Sequence, residues 1–346
     1  MSIRNIEGIT IEEAIIHIVD TNGDEPILNN ITLDLDDELY EFASTHIMKI
    51  IKDEANKKAK FKDDSVFRGT VKRFFSGELD FVECSKEMAE KLFMVAKEFP
   101  DIPSGDLMIV KFSANNEKFL GILKMDYQRS YIHDIGFEEE GFKISIITQD
   151  IGLPSERQRL ANAAILKDPH IDENYDALYV NKVKSSESEE AKDYFVNRYL
   201  NIYDVIDNRD RTKIFKNVVE KWARKNVKED VHLSLDIREK INESLLEKED
   251  LSIAEFSNEV LKDDIDLKQS LITSLEGNGL DVNNNFEVDK KWVEKKLKKK
   301  SIKTDTGFTI SSELDIFKDS NLIEVVRNGD GTVNYVIKNV RNILEK

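Results

Sequence analysis

Between Lys290 and Lys303 the chain sets Lys290, Lys291, Lys295, Lys296, Lys298, Lys299, Lys300 and Lys303 against one acid, Glu294. Ammonium groups at this density are chemistry for an anion. A lysine that meets a backbone phosphate releases condensed counterions and gives affinity without sequence preference. Read as a helix from Val288 to Lys300, the segment brings Trp292, Lys296 and Lys299 together at spacings of four and three. Lys291, Lys295 and Lys298 group in the same way. Trp292 and Leu297 would anchor such a helix while the lysines face out. Like charges at these spacings destabilise a helix, so a bound anion would relieve the run. The plainer alternative is a solvated surface helix that serves only solubility.

A second basic segment lies upstream. Arg209, Arg211, Lys213, Lys216, Lys221, Arg224, Lys225 and Lys228 face only Asp210 and Glu220. The whole chain nevertheless has a formal charge of -17. Salt screens charges beyond about 10 Å at ordinary ionic strength, so a local patch acts almost independently of distant acids. The candidate phosphate contacts are the eight lysines above with Trp292, joined by Arg209, Arg211, Lys213, Lys216, Arg224 and Lys225. Lysine makes point-charge contacts, so little base readout is expected.

Other chemistry finds less support. No GxxxxGK[ST], GxGxxG, HExxH or GxSxG occurs. Asp20, Asn22 and Asp24 imitate the start of an EF-hand loop, but Glu25 and Ile31 stand where glycine and a bidentate glutamate are needed. Asp281, Asn283 and Asn285 fail similarly at Phe286 and Trp292. Turns rich in Asp and Asn account for both. His46 falls on an apolar helical face and reads as a core histidine. His133 beside Asp134 has no recognisable nucleophile with it. Cys84, the only cysteine, excludes an intramolecular disulfide and reads as a small buried residue. No catalytic residue, cofactor or metal is expected.

The elements that must position the basic residues follow from periodicity. Ile9 to Val19 predicts a strand, and Asp20 to Asp24 a turn. Leu39, Phe42, Ala43, His46, Ile47, Ile50 and Ile51 mark one helical face, and a second helix is expected over Phe81–Phe99. Leu107–Phe112 and Lys118–Met125 flank Ala114-Asn115-Asn116 as a hairpin. Ile144–Thr148 and Ala177–Val183 read as strands, with a short helix over Glu156–Ala164 between them. The polar stretch Ser185–Glu190 marks a boundary near residue 184. Beyond it the pattern is mainly helical: one helix through Ala191, Phe195, Ile202, Val205 and Ile206, another carrying Phe215 and Trp222, one capped by Ser252 with Glu255, and one ending at Gly277 and Gly279. Phe308–Ile310 reads as extended. Leu322–Val326 and Val333–Ile337 flank Asn328-Gly-Asp-Gly as a closing hairpin, a wing with Arg327 and Lys338 as its only cations. The expectation is an α+β protein: a mixed strand and helix domain over 1–184, acidic, and a mainly helical domain over 185–346 closed by a β-hairpin. Arg4, Glu7, Glu12 and Glu13 interrupt any leader-like apolar run, and no stretch approaches the roughly 18 apolar residues of a membrane span. A soluble cytoplasmic protein is expected.

Several segments in order carry a family likeness. DFVECSKEMAEKLFMVAKEFPDIPSGDLMIVKF (80–112), FLGILKMDY (119–127), LPSERQRLANAAIL (153–166) and YDALYVNKV (175–183), then the lysine-ended helix, Gly-Phe-Thr-Ile (307–310) and the last hairpin, resemble the bacterial nucleoid-associated protein family of the NdpA type. The resemblance spans nearly the full length and rests on diffuse apolar patterns. It implies a protein of the bacterial nucleoid that binds DNA, and it transfers no catalytic or contact residues.

The leading expectation is a non-enzymatic DNA-binding protein that docks its C-terminal lysines and arginines on phosphates. The acidic N-terminal domain would then serve a homodimer or a protein partner, with no membrane involved. Two other readings compete: an interaction adaptor working through the acidic surface, and a metal-dependent nuclease.

Overall fold

The computed structural model describes residues 3–138, 141–170, 174–182, 192–262 and 264–342. Two compact units divide the chain, Met1–Val205 and Ile206–Lys346. The polar stretch that marked the boundary near residue 184 lies outside the described residues. Residues up to Val205 join the first unit because Ile202–Val205 pairs with a strand there.

In chain order the first unit holds β1 (Thr10–Val19), α1 (Asp37–Lys52), β2 (Lys57–Phe61), α2 (Val66–Ser76), α3 (Phe81–Glu98), β3 (Gly105–Ala114) and β4 (Glu117–Asp126). It continues with β5 (Gln128–Glu138), β6 (Gly141–Gly152), β7 (Asn162–Leu166), β8 (Ala177–Asn181), a π-helical stretch at Tyr194–Leu200 and β9 (Ile202–Val205). Seven strands form one sheet in the order β1-β3-β4-β7-β8-β2-β9, each neighbour antiparallel. Leu120 and Ile122 of β4 face one core, with Met88 and Leu92 of α3 and Phe67 of α2. Phe119, Leu123 and Met125 face the other, with Ala43, Ile47 and Ile51 of α1. The sheet is therefore covered on both faces. The hairpin β5–β6 stands apart as its own two-stranded sheet.

Three expectations change here. The helix expected over Glu156–Ala164 is a turn at Ser155–Gln158 followed by β7. Every residue of β7 is buried between β4 and β8, and a strand covered on both faces loses the alternation that would identify it. The helix expected from Ala191, which lies outside the described residues, to Ile206 is π-helical over Tyr194–Leu200 and stops where Asn201 turns left-handed at φ 52°. Strand β5 was not foreseen at all.

The second unit contains α4 (Asn208–Asn226), α5 (Val231–Glu247), β10 (Asp250–Leu251), α6 (Ile253–Leu261), α7 (Ile265–Glu276), β11 (Phe286–Glu287) and α8 (Lys290–Leu297). After these come β12 (Lys299–Lys303), β13 (Thr309–Glu313), α9 (Leu314–Lys318), β14 (Ile323–Arg327) and β15 (Val333–Ile337). Phe215, Trp222, Ile237, Ile241, Phe256, Leu271, Trp292 and Val293 share its core. Asp207, Asp230, Ser252, Asp264 and Asp289 cap the helix N-termini through their side chains. Asp36 and Asp80 do the same in the first unit. Part of the acidity is thus spent on orphan backbone N–H groups and on the positive ends of helices. Among the described residues no helix is long and apolar enough to cross a membrane.

Candidate nucleic-acid interface

The lysine run is divided between a helix and a strand. Helix α8 has only eight residues and ends at Leu297, where the expected helix ran to Lys300. Its start is fixed twice. The Asp289 carboxylate accepts from the Trp292 N–H at 2.9 Å. The Asp289 N–H donates to Thr212 Oγ1 at 3.0 Å, which ties α8 to the N-terminal part of α4. Trp292, Val293 and Leu297 are buried and hold the helix down. Trp292 is therefore a support; its ring is not presented to a ligand.

Lys290 is also drawn inward. Its ammonium donates to the carbonyls of Leu246 at 2.8 Å and Leu245 at 3.3 Å, with Glu249 at 3.9 Å. Those carbonyls end α5, where backbone acceptors lack helical partners and the dipole favours a cation. The other lysines of α8, Lys291, Lys295 and Lys296, are exposed, as is Lys298 at its end.

Strand β12 then pairs with β13, Lys299 opposite Glu313, Ser301 opposite Ser311 and Lys303 opposite Thr309. Alternation leaves Lys299, Ser301 and Lys303 exposed. Lys300 and Ile302 turn to the half-buried side, where Lys300 lies 5.1 Å over the ring of Phe317. Burial holds the Lys300 ammonium below its usual pKa, with nearby Arg238 adding to the effect and Glu239 opposing it. Among the described residues no acid lies within ion-pair distance of Lys291, Lys295, Lys298, Lys299 or Lys303. These five are the uncommitted positive charge of the run.

The α4 segment is more engaged. Lys216 pairs with Glu220 at 2.5 Å, and Arg224 approaches the same carboxylate at 3.6 Å. Arg211 donates to Asn208 Oδ1 at 3.0 Å. Arg209, Lys213 and Lys296 each have an interaction partner. Lys225 is exposed. The structure joins the two basic segments at Thr212 and Asp289, which sets Arg211 and Lys213 next in sequence to the contact.

The wing differs from expectation. Hairpin β14–β15 forms, but Arg327 pairs with Asp236, and Lys338 pairs with Glu324 at 2.5 Å. Its cations are therefore neutralised locally. The cationic hairpin is β12–β13, which the sequence reading missed by extending the helix. Its turn is closed by Thr304 N–H donating to the Phe308 carbonyl at 2.8 Å, with Gly307 at φ 94°. That turn leaves Phe308 71% exposed. The signal available was Lys299-Lys300-Ser301-Ile302-Lys303, a strand-like alternation with a turn after it.

Cys84 and His46 lie in the interior. The Cys84 thiol is fully buried and pushed up to about 12, chiefly by burial. His46 is buried in the α1 face with its ring edge-on to Phe42 at 4.7 Å, and burial lowers it to about 4. His133 is exposed on β5. Asp20 accepts from the N–H of Asn22 and from Ser104, and Asp281 from Asn283 and Asn284. Among the described residues no group of three or more His, Cys, Asp or Glu side chains could hold a metal ion.

Comparison with curated protein sequences gives no match. Over residues 15–345, however, the sequence fits a known family along almost its whole length, and the chain belongs to that family, the one described as nucleoid-associated protein YejK.

Proposed function

We propose that the chain associates with the nucleoid by binding DNA through the second unit, contacting phosphates largely without regard to sequence and performing no covalent chemistry. One observation carries this reading. Lys291, Lys295, Lys298, Lys299 and Lys303 are exposed and unpaired by acids among the described residues, on a helix and hairpin fixed by buried Trp292 and Leu297. Five such cations on a rigid support are available for phosphate. The family supports a nucleoid role, and the charge distribution supports the mode of contact. Phe308, beside the lysine strand, offers a ring on which an unpaired base could stack.

The test is a salt titration of duplex DNA binding by the full chain. Five phosphate contacts predict a slope of log affinity against log salt of about -4.5. Combined Lys295→Glu, Lys298→Glu and Lys299→Glu substitutions should abolish binding at moderate salt. Unchanged affinity and slope in that variant would sink the assignment.

A further inference from the structure

The hairpin β5–β6 has the composition of a buried sheet and the exposure of an open one. Its register places Tyr131, His133, Ile135 and Phe137 opposite Thr148, Ile146, Ile144 and Phe142. Directly opposed residues share a face, so these eight side chains form one surface. Phe137 is 80% exposed, Ile146 75%, Phe142 74%, Ile144 70%, Tyr131 68% and Ile135 50%. The opposite face takes Ser130, Asp134, Gly136, Lys143 and Ser145, with Ile132 and Ile147 less exposed. Asp134 and Lys143 thus place their charges on the other face.

A two-stranded hairpin in water is marginally stable without cover. This one pairs with no third strand among the described residues. Monomeric proteins seldom leave a contiguous apolar patch of this kind without an interaction behind it. We propose that the apolar face of β5–β6 is a dimerisation surface, covered by the same face of a second copy of the chain. The six side chains offer on the order of 900 Å², close to the roughly 800 Å² per partner of a standard interface. None of the eight side chains is a carboxylate, lysine or arginine, so two copies meet about a two-fold axis without a clash of such charges. An isologous contact needs only such a self-complementary surface. Nucleic acid is a poor occupant, because none of the eight opposed side chains is a lysine or arginine. The inference stands independently of DNA binding.

The experiment is sedimentation velocity on the full chain at micromolar concentration, without DNA. The expected mass is about twice 39.9 kDa. Ile144→Glu with Ile146→Glu should raise the dissociation constant at least a hundredfold and give the mass of one chain. The variant should still unfold in one cooperative thermal transition, because the arm lies outside both cores of its unit. Ser145→Glu, on the opposite face, should leave the dimer intact. A wild-type monomer at every concentration overturns the proposal and gives the face to another protein. A double variant that still dimerises, or dissociation by Ser145→Glu, overturns it as well.

Discussion

The ammonium of Lys290 donates to the carbonyl of Leu246 at 2.8 Å across the end of α5. Adjacent in sequence, Lys291 is exposed and meets no acid among the described residues. Two neighbouring lysines of one run therefore do different work. Lys290→Ala should cost about 1 kcal/mol of stability, the worth of a cation at a helix C-terminus, and leave DNA affinity nearly unchanged. Lys299→Ala should do the reverse, with stability unchanged and the salt slope shallower by about 0.9. Thermal melts and salt titrations on both variants decide the matter. A matched loss of affinity in Lys290→Ala would return that residue to the interface.

Phe308 tests the character of the contact. Stacking a base on an aromatic ring is worth about 1–3 kcal/mol. Phe308→Ala should weaken single-stranded DNA binding by about tenfold or more and leave the salt slope in place, because no charge is removed. Duplex affinity should change less, since its bases are already stacked. Equal affinity of wild type and variant for both forms would show that the ring takes no part.

Two buried histidines make the first unit acid-sensitive. His17 Nε2 lies 2.9 Å from Ser85 Oγ, and its Nδ1 accepts from the Asn29 N–H at 3.1 Å. Burial, with Lys86 contributing, lowers His17 to about 4. His46 is lowered to about 4 by burial, with Lys49 adding. In the unfolded chain both titrate near 6.5. Between these values the unfolded state binds more protons, so stability rises with pH through the window. It should be constant above about 6.5 and fall as pH drops toward 4, by about 1 kcal/mol per pH unit for each histidine. Denaturant unfolding at pH 4.5, 5.5, 6.5 and 7.5 measures it, and a flat profile would refute the linkage.

Several helices were legible from an apolar face and a cap, although α2, capped by Ser65, and α5, capped by Asp230, were not foreseen. Asp36 and the Ala43–Ile51 stripe announce α1, and Ser252 announces α6. The Asn115-Asn116 turn announces β3–β4, since both residues take positive φ. Strand β7 was not legible, because burial on both faces removes its period. Strand β5 was not legible, because Ile132 on one face and His133 among Tyr131, Ile135 and Phe137 on the other break the apolar alternation. At the candidate interface the charge was legible and the geometry was not. A lysine-dense run reads the same as helix or strand, and only Ile302 opposite Ile310 shows where the chain changes form. Which lysines are free depends on long-range partners such as the end of α5, on which local spacing carries no information.

The placement of α1 on the sheet rests on the absence of a side chain at Gly121. This residue lies in β4 between Val110 and Ile165, under α1. A methyl group added there would overlap the Cδ1 atom of Ile47, which is fully buried. Gly121→Ala should therefore cost about 1–3 kcal/mol through overpacking. Ile47→Val removes the offending Cδ1 and alone should cost about 0.5–1.5 kcal/mol. Together the two changes should cost less than their sum, because the new methyl fills the space the old one leaves. A double-mutant cycle from denaturant unfolding reads the coupling directly. Strict additivity would mean that α1 shifts as a body to admit the methyl group, and that Ile47 does not set its distance from the sheet.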